Sequence, residues 1–141
     1  MAKRVAKRVF DAWAVLAILQ GETAGQKALN LMADCLEGGG EAFMTTINAG
    51  EVWYNIARRR SEDDADHAIE ELRAWGVQFV EIDWELARQA ARFKTKGRLS
   101  FADAFAAALA KHLKCELVTG DPELKALGAE VKIQWLKEEV G

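Results

Sequence analysis

Four acidic residues, Asp11, Glu51, Asp103 and Asp121, stand where a strand-like run or a loop gives way to a helical pattern. Taken singly, each reads as a helix cap. Asp11 opens an apolar stretch, Asn48-x-x-Glu51 and Ser100-x-x-Asp103 have capping-box spacing, and Asp121 precedes Pro122 as an N-cap precedes a proline at N1. Taken together they allow another chemistry. In an open parallel sheet the C-terminal strand ends, and the helix starts that follow them, gather along one edge, so acids far apart in sequence can converge. Converging carboxylates raise one another's pKa unless a cation neutralises them. Oxygen donors without histidine or thiolate partners suit Mg²⁺ or Mn²⁺ rather than zinc. The chemistry that fits is metal-assisted hydrolysis of a phosphodiester.

The elements that must position these acids alternate along the chain. Arg8-Val9-Phe10 predicts a short strand, and Trp13 to Leu19 a helix that stops at Gly21. Ala28, Leu31, Met32, Cys35 and Leu36 recur at helical spacing before Gly38-Gly39-Gly40 ends the pattern. Ala42 to Ile47 is apolar and β-branched, and Glu51 to Arg60 is helical. Asp63 to Trp75 places Ala65, Ala68, Ile69, Leu72 and Trp75 on one face, and Gly76 ends it before a strand over Val77 to Ile82. Trp84 to Phe93 and Phe101 to His112 are Ala-rich helices, Cys115 to Thr119 is a strand, Pro122 opens a short helix, and Val131, Ile133 and Trp135 alternate as a last strand. Such alternation predicts the α/β class, a three-layer α/β/α sandwich around a short, mainly parallel sheet.

Length and composition set the outer bounds. The chain has 141 residues, without a repeat, a Ser/Pro linker or a low-complexity tract, so a single domain over residues 1–141 is expected. Half the residues are hydrophobic and one is proline, which excludes a disordered or collagen-like chain. The net charge of −3 excludes a global basic field, so any nucleic-acid contact must be local. The longest apolar run, Ala12 to Leu19, falls short of the about 20 residues that span a bilayer. The basic N-terminus has no apolar h-region and no small-residue cleavage site before Asp11, so a secretory signal is not supported and the expected location is the cytoplasm. Cys35 and Cys115, without Cys-x-x-Cys or Cys/His spacing, read as buried thiols. Neither Ser61 nor Ser100 sits in a Gly-x-Ser-x-Gly elbow, and no Gly-rich phosphate loop is present.

Four segments carry a resemblance to a known family. Asp11 to Leu19 (DAWAVLAIL), Asn48 to Tyr54 (NAGEVWY), Ser100 to Ala110 (SFADAFAAALA) and Leu117 to Glu123 (LVTGDPE) resemble, in order and spacing, the four acidic motifs of PIN-domain nucleases, and more narrowly VapC-type toxins of toxin–antitoxin pairs. The resemblance runs from Val9 to about Trp135. It implies an Mg²⁺- or Mn²⁺-dependent endoribonuclease with Asp11, Glu51 and Asp103 as the main metal ligands and Asp121 as a fourth, more distant or water-mediated one. Thr119 would help shape the same site through its hydroxyl, with Ser100 supporting it. The resemblance further implies inhibition by a small antitoxin protein, through an arginine reaching the acids, and a homodimer formed through helical faces. One position departs from the pattern: many PIN domains carry Ser or Thr two residues after the first aspartate, where this chain has Trp13.

The remaining signals concern substrate. Lys3, Arg4, Lys7 and Arg8, then Arg58 to Arg60, then Arg88, Arg92, Lys94, Lys96 and Arg98 form basic clusters that could rim an RNA site or be solvated helix faces. Arg58 follows Glu51 by two helical turns and is the first choice for a phosphate contact. Trp53 and Tyr54 fit core or dimer packing better than base stacking. A PIN-like module that keeps the acids as caps and binds RNA or protein without catalysis is the alternative.

Overall fold

The computed structural model describes residues 6–137. Five strands, β1 (Lys7–Phe10), β2 (Glu41–Thr45), β3 (Gln78–Val80), β4 (Glu116–Thr119) and β5 (Ile133–Trp135), form one sheet in the order β3-β2-β1-β4-β5. Every pairing is parallel, with Val9 beside both Phe43 and Leu117. The helices are α1 (Ala12–Leu19), α2 (Thr23–Glu37), α3 (Thr46–Arg59), α4 (Glu62–Trp75), α5 (Trp84–Lys94) and α6 (Phe101–Leu113), followed by a 3₁₀ segment over Pro122–Glu130.

A parallel sheet is covered on both faces, so its central strands are apolar at consecutive positions. Val9, Phe43 and Leu117 point to one face, where they pack with Phe93, Leu109 and Leu124. Their neighbours Phe10, Ala42, Met44 and Val118 point to the other, against Val15, Met32, Val52 and Leu72. The result is the expected α/β/α sandwich, with α5, α6 and the 3₁₀ segment on one side and α1 to α4 on the other. Strand order reverses between β1 and β4, since the chain goes from β1 to β2 and β3 on one side and to β4 and β5 on the other. The ends of β1 and β4 therefore flank the crevice where open α/β sheets bind ligands.

Two boundaries differ from the sequence reading. β2 ends at Thr45 and α3 starts at Thr46, earlier than expected, because the Thr45 hydroxyl caps α3 by accepting from Asn48 N at 3.0 Å. The β-branched Thr45-Thr46-Ile47 run looked like strand, and a side-chain cap overrode that preference. β3 is likewise only three residues long.

Helices α1 and α2 meet closely at Gly25, where a Cβ would stand 2.1 Å from the Ala17 carbonyl oxygen. Gly25→Ala is expected to destabilise the fold by about 1–3 kcal/mol, read as a lower urea midpoint at unchanged slope.

The basic clusters separate in space. Lys3 and Arg4 lie outside the described residues. Lys7 pairs with Glu41 at 3.8 Å, and half-buried Arg8 bonds the Leu31 carbonyl at 3.1 Å and faces Glu116 at 3.8 Å. Both sit on β1 before the end that leads into Asp11, in structural pairings rather than at a rim of the acids. Arg92 and Lys96 converge with Lys111 on Glu130, whose carboxyl is held below its usual range by Lys96 first. Cys35 is buried and Cys115 only partly so; both are free thiols. No helix among the described residues is long and apolar enough to cross a membrane.

Candidate metal centre

Asp11 follows β1 directly and is wholly buried. Its Oδ1 accepts from Ala14 N at 2.9 Å, so it does cap α1, while its Oδ2 accepts from the Thr119 hydroxyl at the end of β4. The same hydroxyl oxygen accepts from Asp121 N at 3.0 Å. Thr119 thus fastens the ends of β1 and β4 to the turn that carries Asp121. Burial pushes the Asp11 carboxyl up to about 7; the Thr119 and Ala14 hydrogen bonds oppose the rise, and the charges of Asp121 and Glu51 add to it.

Asp103 lies in the first turn of α6, where its N–H donates to the Ser100 hydroxyl at 3.1 Å, making Ser100 the N-cap. The Asp103 side chain is buried, and its Oδ2 has no hydrogen-bond partner among the described residues. Carboxylate oxygens of Asp103, Asp121 and Glu123 lie within 4.8 Å of one another. Burial first, then Asp121, Asp11 and Glu123, push Asp103 up to about 9. Asp121 caps the 3₁₀ segment, its Oδ1 accepting from Glu123 N at 3.0 Å, and Glu123 Oε2 accepts from Ser100 N at 3.2 Å.

Glu51 is not a cap. It stands in the second turn of α3, solvent-exposed, and its carboxyl is raised by desolvation and by the charge of Asp121. The tightest grouping of carboxylates is therefore Asp103, Asp121 and Glu123, with Asp11 and Glu51 coupled to it through charge. A hard divalent cation fits this donor set: all the donors are carboxylate oxygens, and the buried Asp103 oxygen lacks any protein donor to satisfy it.

Residues 8–130 match the family model of the PIN domain. The chain belongs to the PIN-domain family. Solved structures with the same fold include VapC20 of Mycobacterium tuberculosis, described as a sarcin-ricin loop cleaving toxin, at 21% identity and a TM-score of 0.69, with 89% of this chain and 98% of that one covered. VapBC2 of Rickettsia felis, solved on a promoter DNA fragment, aligns at 12% identity and a TM-score of 0.71, covering 91% and 97%. VapBC-1 of nontypeable Haemophilus influenzae aligns at 14% and 0.71, covering 94% and 99%. Among curated protein sequences no match is found.

Two residues that the geometry adds to the candidate site were not singled out from the sequence. Glu123 was visible as the second acid of the Asp-Pro-Glu turn, and the 3₁₀ winding after Pro122 brings it back toward Ser100. Asn48, read as a cap of Glu51's helix, is instead a buried hub. Its Oδ1 accepts from Ala12 N at 2.9 Å, and its Nδ2 donates to Thr45 Oγ1 at 2.8 Å and to the Ala102 carbonyl at 3.1 Å. It ties together the starts of the three helices that carry Asp11, Glu51 and Asp103. Asn48→Ala would leave buried backbone groups unpaired and is expected to cost about 2–3 kcal/mol in a denaturant titration, with a fall in activity of about tenfold or more in the folded fraction.

Arg58 shares α3 with Glu51 and is exposed, but its Nη1 donates to the Tyr54 hydroxyl at 2.6 Å and its guanidinium lies over the Tyr54 ring at 5.3 Å. Tyr54 is half exposed rather than in the core, and Trp53 donates from Nε1 to Asp66 at 2.8 Å.

Proposed function

We propose that this PIN-domain protein is an Mg²⁺- or Mn²⁺-dependent endoribonuclease and the toxin of a toxin–antitoxin pair. The observation that carries the reading is the buried, unpartnered Asp103 carboxylate oxygen set among further carboxylates at the strand-order reversal. Such an arrangement is costly for a chain that uses its acids only as caps, and it is relieved by a divalent cation. Residues proposed to hold the cation are Asp11, Glu51, Asp103 and Asp121, with Glu123 added by the geometry. Bound there, the cation neutralises phosphate charge and activates water for attack at phosphorus.

The chain's own groups do the positioning. Thr119 keeps the Asp11 carboxylate turned toward Asp121, Ser100 fixes the first turn of α6 and so the direction of Asp103, and Asn48 sets the spacing of the helix starts. Arg58, exposed on α3, is proposed to exchange its Tyr54 hydrogen bond for a substrate phosphate. Without the four acids the chain has a slight positive balance, which suits an RNA substrate.

The solved neighbours that are toxin–antitoxin complexes support an antitoxin as partner; inhibition by covering the acids, with an arginine reaching them, is part of the same proposal. Unchanged ribonuclease activity after mixing with the cognate antitoxin would overturn inhibition. Exposed Ile47, Tyr54 and Trp84 support association of two copies through helical faces, to be checked as a dimer mass by light scattering. The cytoplasm, where RNA and Mg²⁺ occur together, is the proposed location.

Calorimetric titration with Mn²⁺ tests the metal site. Saturable binding is expected, lost on replacing both Asp103 and Asp121 by Asn; heats indistinguishable from dilution would overturn the reading.

A further inference from the structure

Beside the carboxylates, next to β5, lies a groove of about 880 Å³. Two indoles line it, Trp13 and Trp135, together with Gln134 and three lysines, Lys27, Lys125 and Lys137. No lining residue among the described residues is acidic. The groove borders the segments that carry the acids: Trp13 stands two residues beyond Asp11, and Gly120 and Pro122, also in its wall, flank Asp121. A Cβ at Gly120 would stand 2.3 Å from the Trp13 Cη2, so only glycine there leaves room for the indole against the turn that carries Asp121. The Lys137 ammonium sits 5.8 Å from the centre of the Trp13 ring, and Lys27 Nζ, exposed, donates to the Trp135 carbonyl at 3.0 Å.

We propose that this groove is a nucleobase subsite: a base of single-stranded RNA, adjacent to the phosphate held at the carboxylates, stacks on Trp13 while Lys27 and Lys137 take neighbouring phosphates. The proposal rests on the nuclease reading above and names which part of the substrate that site grips. Base–aromatic stacking beside a cationic backbone track is how sequence-tolerant single-strand sites are built, and Gln134 adds an amide able to pair with a base edge. Lys137 leaves the ring face for a phosphate when the base arrives. A basic protein tail, which would seek the acids, finds only like charge in this groove. Bases in a duplex cannot reach the ring, so the subsite selects unpaired RNA.

The test is a titration of the full chain, with Ca²⁺ in place of Mn²⁺ so that the carboxylates hold a cation that does not support cleavage, with a fluorescein-labelled RNA of about ten nucleotides and mixed sequence, and with its duplex. Anisotropy and tryptophan fluorescence are followed together. The single strand is expected to bind at least about tenfold more tightly than the duplex and to quench the tryptophans. Trp13→Leu is expected to weaken single-strand binding about tenfold or more, and Trp13→Phe to recover most of it. Lys27→Glu with Lys137→Glu weakens binding and flattens its salt dependence. Mn²⁺ binding stays at the wild-type level in every folded variant. Equal RNA affinity of wild type and the lysine double variant, or of wild type and Trp13→Leu in folded form, overturns the subsite. So does a glutamate-rich peptide that quenches the tryptophans at lower concentration than the RNA, which would make the groove a peptide site. A wild type that cleaves RNA with Mn²⁺ while Trp13→Leu binds normally removes the subsite alone; a wild type that neither cleaves nor binds RNA removes the nuclease reading with it.

Discussion

Asp103→Asn is expected to abolish RNA cleavage and, at the same time, to make the metal-free protein more stable at pH 8. Loss of a carboxylate that holds the cation should lower the cleavage rate by at least about a hundredfold. The stability gain comes from the other side of the same arrangement. In the folded, metal-free chain Asp103 titrates at about 9, against 3.8 as its ordinary value, because it is buried beside Asp121, Asp11 and Glu123. A group with a raised folded pKa contributes stability that is present below its unfolded pKa and is lost as pH rises through the folded one. At pH 8 most of that contribution is gone. Asparagine keeps the shape and a donor toward Asp121 or Glu123 without a proton to lose, so the melting temperature should rise by about 5 °C or more. A carboxylate that served only to stabilise the first turn of α6 through its charge would behave otherwise: neutralising it removes a favourable interaction with the helix N-terminus and lowers stability. Differential scanning calorimetry of the two proteins in EDTA decides between the two signs.

The second large effect is an inversion of the stability–pH profile by metal. Without metal, Asp11, with a folded pKa of about 7, and Asp103, at about 9, both stay protonated in the fold at pH values where the unfolded chain has released its protons. Their joint contribution is therefore fully present below pH about 4, fades for both groups together from there to about 7, where the Asp11 part is spent, and continues to fade through Asp103 alone up to about 9. Glu51, also raised, acts in the same direction. Glu130, held low by Lys96, Lys111 and Arg92, acts oppositely but only at acid pH and equally with or without metal. A bound cation replaces those protons and favours the ionised carboxylates, so its stabilisation grows as pH rises. The difference between melting temperatures with saturating Mn²⁺ and with EDTA is expected to be near zero at pH 5 and to widen toward pH 8.5. A difference that stays flat across this range contradicts the assignment of Asp11 and Asp103 to one metal centre.

Much of this was legible in the chain because its signals are local. Consecutive apolar residues in Val9-Phe10, Ala42-Phe43-Met44 and Leu117-Val118 announce strands covered on both faces, and the helical patterns between them announce crossovers. Asp11 and Asp121 could be placed because one follows a strand directly and the other after a single glycine, and each caps what comes next. Asp103 could be placed by its offset from Ser100. What stayed hidden depends on contacts across long stretches of sequence or on one side chain overriding a propensity. The Thr45 cap moved the start of α3, and with it Glu51 from a helix start into the second turn. Thr119 reaches Asp11 only once β1 and β4 are paired, and Asn48 reaches Ala102 only once α3 and α6 are packed. Arg8 read as part of a cationic rim, whereas its guanidinium is engaged by Leu31 and Glu116. Glu123 was in plain view beside Asp121, and only the 3₁₀ winding shows that both carboxylates face Asp103.

The most direct test of the account is cleavage of a mixed tRNA and mRNA pool by the purified wild-type chain with Mn²⁺, with EDTA, and by Asp103→Asn purified in the same way. Cutting is expected to require the metal and to vanish in the variant while the variant remains folded. Equal cutting by wild type and Asp103→Asn, or no cutting by a wild-type chain shown to bind Mn²⁺, would contradict this and leave a PIN-like binding module without catalysis.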